Sequence, residues 1–126
     1  MVGFSDLDIV TPALRQAVGG YMEYGRQAGW PLRTAQTRER HLLTFLLFLA
    51  FNDIGTLNAV TPTLVQEFSR FLAAAPLHPG LIQSYLHSVA LFLRWCSTHP
   101  RLALADGVVA TAIGLWSTTQ GGRVDD

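Results

Sequence analysis

Apolar positions recur along this chain at helical spacing, and they mark out four strong helical segments and a weaker fifth. From about Pro12 to Ala28, Leu14, Val18, Tyr21 and Met22 fall at i, i+4, i+7 and i+8 and form one stripe. Thr11 suits the N-cap and Pro12 the first turn, while Gly19, Gly20 and Gly25 each weaken the helix by about 1 kcal/mol relative to Ala. Gly29, Trp30 and Pro31 end it. A second helix starts at about Thr34 or Thr37 and runs to Phe51; its first turns are polar and Arg-rich, and the rest, LLTFLLFLAF, is apolar on every side. A helix apolar all round belongs in the middle of a fold. Thr61 and Pro62 open a third helix with the stripe Leu64, Val65, Phe68, Phe71 and Leu72, closed by Pro76.

The fourth helix starts at His78-Pro79-Gly80 and runs to about Thr98. Leu81, Ile82, Tyr85, Leu86, Val89, Phe92, Leu93 and Cys96 make its core face. Gln83, Ser84, His87, Ser88 and Arg94 lie opposite, together with Leu91 and Trp95, which are neighbours at i,i+4. Val108 to Trp116 reads as a short fifth helix capped by Asp106, and the run from Ser117, STTQGGRVDD, as a mobile tail. No strand alternation stands out. The expected class is all-α, a compact four-helix bundle over residues 1–105, with residues 106–126 as a short apolar segment and tail.

Composition narrows the function classes. The 126 residues are 49% apolar and 14% charged, which excludes a disordered chain. The longest apolar run is about half the ~20 residues a membrane-spanning helix needs, so no membrane role is expected. The opening MVGFSDLDIVT lacks a basic region and carries Asp6 and Asp8, unlike a signal peptide. A single cysteine implies no oxidising compartment, and Cys96 on a core face reads as an inert buried thiol. The histidines at 41, 78, 87 and 99 make no H-x-x-x-H pair, and no phosphate-binding glycine loop is present, so no metal, cofactor or catalytic residue is expected.

Charge adds more when it is counted by segment. Nine arginines balance nine acids, with no lysine. Yet residues 33–51 hold Arg33, Arg38 and Arg40 against Glu39 alone, and residues 77–105 hold Arg94 and Arg101 against no acid. Helices two and four therefore carry all the excess positive charge, and all four histidines. Gln36, Thr37, Gln83, Ser84 and Ser88 join them there. Arg side chains with such hydrogen-bonding partners suit phosphate oxygens and base edges. An ordinary solvated face remains the alternative.

Three blocks of sequence carry a family resemblance. LRTAQTRERHLLTFLLFL places Thr37, His41, Phe45 and Phe48 in an opening helix pattern. TLNAVTPTLVQEFSRFL follows, with Thr61 as cap, and PLHPGLIQSYLHSVALFLRWC places Leu77, Pro79, Ile82, Leu86, Ser88, Phe92 and Trp95. Together, from Leu14 to Pro100, they resemble the N-terminal core-binding domain of tyrosine recombinases, or phage integrases, a SAM-like helical domain. Departures are His41 where the family often has Tyr, His78 for Ser, Leu81 for Thr, and LALADG for the usual closing Asn-Pro.

The resemblance implies a DNA-binding module that clamps double-stranded DNA with helices two and four during recombination or integration. The implied contacts are Arg33, Arg38, Arg40, His41 and Thr44 from helix two and Gln83, Ser84, His87, Arg94 and Arg101 from helix four, with Gln83 and His87 reading base edges. Leu91 and Trp95 would form a patch for a partner: the catalytic domain of the same recombinase, or another protomer. The family's catalytic Arg–Lys–His–Arg–His/Trp–Tyr set is not expected in the 26 residues after Pro100, which contain no Tyr. The implied place is the cytoplasm, on the nucleoid. The competing expectation, from zero net charge and high apolar content, is a small helical protein–protein interaction module with no DNA role.

Overall fold

The computed structural model describes residues 9–124, with side chains through residue 117. The first eight residues, and with them most of the segment weighed as a signal peptide, lie outside the described part. The described chain is all-helical, with no strand, and no described helix is long and apolar enough to cross a membrane.

Helix α1 spans Pro12–Gln27. Thr11 is extended (φ −65°, ψ 154°), and its Oγ1 accepts the Leu14 N–H at 3.4 Å, as the Thr-Pro signal predicts. The same hydroxyl donates to the Gly55 carbonyl at 2.5 Å, 44 residues away in sequence. Leu14, Ala17, Val18 and Tyr21 are buried. Gly29, at φ 84°, reverses the chain, and the Trp30 N–H donates to the Gly25 carbonyl at 3.0 Å. This folds the Trp30 indole flat against Gly25, where an added Cβ would overlap the ring. Gly25, read from sequence as a weak point, is thus a point of close approach.

Helix α2, Leu32–Phe51, begins earlier than Thr34, behind Pro31, with no side-chain cap. Leu42, Phe45, Leu46, Leu47, Phe48 and Leu49 are buried, so the apolar run does sit centrally. A 3₁₀ turn, Leu57–Ala59, leads to α3, Pro62–Ala74. Thr61 caps α3 by accepting the Leu64 N–H at 3.1 Å. Phe68 and Leu72 enter the core, but Phe71, placed on the stripe from sequence, stays 49% exposed.

Helix α4, Pro79–Ser97, is capped by His78, whose Nδ1 accepts the Gly80 N–H at 3.0 Å. It packs against α1, α2 and α3 and is the central element. A 3₁₀ turn, Pro100–Leu102, and left-handed Ala103 (φ 50°) follow. The chain enters α5, Val108–Val124, through Gly107 at φ 85°.

Three expectations change here. The fifth helix is not short, because it continues past Trp116 to Val124 where a tail was expected. Among the described residues, the Asp106 side chain makes no hydrogen bond to cap it. Nor does residue 105 close a domain: α5 packs against both α3 and α4, with Val108 and Ala112 in the same core as Leu93 and Phe68. The bundle has five helices, and the core runs on through α5.

Candidate nucleic-acid interface

Helices α2 and α4 pack side by side, and a small polar cluster lies in their seam. His41 Nδ1 and Ser88 Oγ are 2.8 Å apart, and the imidazole lies on the Tyr85 ring with centroids 4.2 Å apart. His41 is only 2% exposed and Ser88 only 4%. This corrects two expectations: His41 is not an exposed side chain of α2, and Ser88 is not on the solvent side. Burial, with the nearby Arg40 charge, pushes the His41 pKa down to about 4, against a hydrogen bond to the Ser84 backbone that raises it. The ring is neutral at pH 7.

Above this seam runs a shallow groove of 220 Å³, walled by Arg33, Thr37 and Arg38 from α2 and by Ser84 and His87 from α4. It brings together five of the predicted residues, Arg33, Arg38, Ser84, His87 and the nearly buried His41, with Ser88 beside it. His87 is half-buried and stacks on Trp116 of α5, centroids 4.6 Å apart. Burial and the Arg38 charge lower its pKa, so it too favours the neutral form.

A second groove, of 540 Å³, adjoins the first at Arg38, which lines both. Arg94 and Leu91 come from α4, and Tyr21, Tyr24, Trp30 and Trp95 supply aromatic surface. The Arg38 guanidinium carbon sits 4.4 Å over the Trp30 ring, a cation–π contact that fixes its direction. Leu91 and Trp95, predicted as a surface patch, are half-buried: Trp95 packs on Tyr21 (5.5 Å) and His99 (4.1 Å). Sequence periodicity missed the part played by Tyr21, Tyr24 and Trp30. Its only trace was the i,i+3 pair Tyr21 and Tyr24 beside a Gly-rich stretch that allows close approach.

The other predicted contacts stand apart. Arg40 is exposed and Thr44 half-buried; the Thr44 hydroxyl donates to the Arg40 carbonyl at 3.2 Å, and neither residue lines these grooves. Gln83 is half-buried and lines neither. Arg101 lines a third groove with Gln16, Gly20 and Leu102, which meets the second at Trp95 and His99.

Among the described residues the only ion pair is Arg26–Glu23, at 2.6 Å. Arg33, Arg38, Arg40 and Arg94 therefore have no carboxylate partner among them. No described cluster of three His, Cys, Asp or Glu could hold a metal ion. Cys96 is fully buried, and burial pushes its thiol up to about 12, which leaves it unreactive as a thiolate.

No family model, no curated protein and no solved structure matches this chain.

Proposed function

We propose that this chain is a double-stranded-DNA-binding module. More particularly, it is read as the SAM-like core-binding domain of a tyrosine recombinase, which clamps duplex DNA with α2 and α4 and itself performs no catalysis. The observation that carries the reading is the row Arg33, Arg38 and Arg94 along the joined α2–α4 grooves, with no carboxylate partner among the described residues. Guanidinium groups left unpaired on one face are free to meet phosphate. Ser84 lies beside them as a hydrogen-bonding side chain. The family assignment rests on the resemblance of the three sequence blocks. A cytoplasmic, nucleoid-bound location follows from that assignment.

With about 3–5 phosphate contacts, affinity falls as roughly the third or fourth power of salt, and the isolated module binds at micromolar strength or weaker. A fluorescence titration of a duplex at two salt concentrations tests this. Binding that weakens steeply with salt is the expected result, and no binding to any duplex at low salt would overturn it.

A second reading, a protein–protein interaction module, is favoured by one observation: the aromatic surface of Tyr24, Trp30 and Trp95 exceeds what phosphate contact requires. Self-association without DNA binding would support it.

A further inference from the structure

The groove between α1 and α4 joins π faces to positive charge in a way that selects its ligand. Tyr24 is 49% exposed, and Trp30 and Trp95 are half-buried. Tyr24 meets Trp30 edge-on at 6.1 Å and lies 6.3 Å from Trp95, so the three rings share one wall. Arg38 and Arg94 stand beside them, and no carboxylate lines the space. A cationic ligand would be repelled by two guanidinium groups, and a purely aliphatic one would leave both unpaired. The volume of 540 Å³ lies within the roughly 300–1,000 Å³ of small-ligand sites. What matches both features is a flat π system carrying an anion.

We infer that this groove holds an unpaired nucleotide of single-stranded DNA, its base stacked on the exposed Tyr24 ring and bordered by Trp30 and Trp95, and its phosphate on Arg38 and Arg94. Stacking on aromatic side chains beside a cationic track is how unpaired strands are held without base pairing. The inference rests on the reading of the chain as a DNA-binding module and extends it: the duplex follows the α2–α4 seam, and a strand opened from it enters the adjoining groove, with Arg38 and Arg94 serving both.

The test uses the full chain, an end-labelled oligothymidylate of about 12 nucleotides, and a duplex of the same length, followed by fluorescence anisotropy. The oligothymidylate is expected to bind and to quench tryptophan emission. Tyr24→Ala should weaken it about 5- to 100-fold, far more than it weakens duplex binding, and Tyr24→Phe should restore it, because stacking needs the ring and not the hydroxyl. Circular dichroism checks that each variant keeps its helices. Failure of the single strand to bind, or an unchanged affinity in Tyr24→Ala, overturns the inference while leaving duplex binding as its own result. Tighter binding of an oligouridylate overturns the assignment to DNA. Single-strand binding that depends on Tyr24, with no duplex binding, upholds the inference and removes the clamp.

Discussion

The His41 imidazole and the Ser88 hydroxyl meet 2.8 Å apart in the seam between α2 and α4, out of reach of solvent. In the native protein His41 takes up a proton only at about pH 4, while in the unfolded chain it does so near its ordinary 6.5. Stability from the neutral ring is therefore complete above about pH 6.5, declines as acid is added, and is lost by about pH 4. One proton gives a slope of up to about 1.4 kcal/mol per pH unit. His87 shifts in the same direction, so urea unfolding of wild type and His41→Gln between pH 7 and pH 4.5 isolates the His41 part as the difference in slope. Ser88→Ala should cost about 1–3 kcal/mol at pH 7 by leaving a buried ring nitrogen unpaired.

Two glycines of α1 should respond to the same substitution with opposite signs. Gly19 faces open space, so Gly19→Ala should stabilise the protein by about 0.5–1 kcal/mol through helix propensity. Gly25→Ala should destabilise it by about 1–3 kcal/mol, because the new methyl displaces the Trp30 indole. Thermal melts of both variants check this, and a stabilised Gly25→Ala would mean that Trp30 does not lie on Gly25.

Helix α5 should be indispensable. A chain ending at residue 105 leaves the sites of Val108 and Ala112 on α3 and α4 open to water. It should lose its sharp unfolding transition, which differential scanning calorimetry would register as a broad or absent peak. An unchanged cooperative transition would restore the boundary expected from sequence.

The arginines separate by groove. Arg38→Ala with Arg94→Ala should lower the salt slope of duplex binding by about two and keep the fold, since neither side chain holds an ion pair among the described residues and the Arg38 contact with Trp30 is at the surface of the groove. Arg101→Ala should cost much less, as Arg101 lines neither the groove of Arg33 nor that of Arg94. Titrations at low and moderate salt distinguish the two. Equal losses from both variants would put the DNA face elsewhere.

How far the sequence discloses this fold follows from which physics is local. The Thr11-Pro12 and Thr61-Pro62 caps and the stripe Leu86, Val89, Phe92, Leu93 and Cys96 of α4 are decided within a few residues and stand where periodicity puts them, whereas Leu81, read on the same face, is exposed. The extent of α5 is not legible: STTQGGR carries two glycines and no apolar stripe, and nothing local in it predicts a helix. His41 and Ser88 are polar residues that pair across 47 positions of sequence, and residue type alone assigned both to the surface. A trace of their burial did exist, since His41 precedes Phe45 by four positions and Ser88 precedes Phe92 by four, each on a core stripe. Of the candidate site, the basic seam was legible as charge on two segments. The aromatic wall was not, because its rings come from α1, the turn after it and α4.

The Thr11 hydroxyl accepts from Leu14 and donates to Gly55, and so belongs at once to the first turn of α1 and to the loop beyond α2. Opening the first turn of α1 breaks both bonds, and opening the loop removes the acceptor of the Thr11 hydroxyl. The amides at the start of α1 and those around Gly55 should therefore exchange with solvent deuterium as a single cooperative unit, at one common rate, although Thr11 and Gly55 are 44 positions apart. Thr11→Val should split that unit in two.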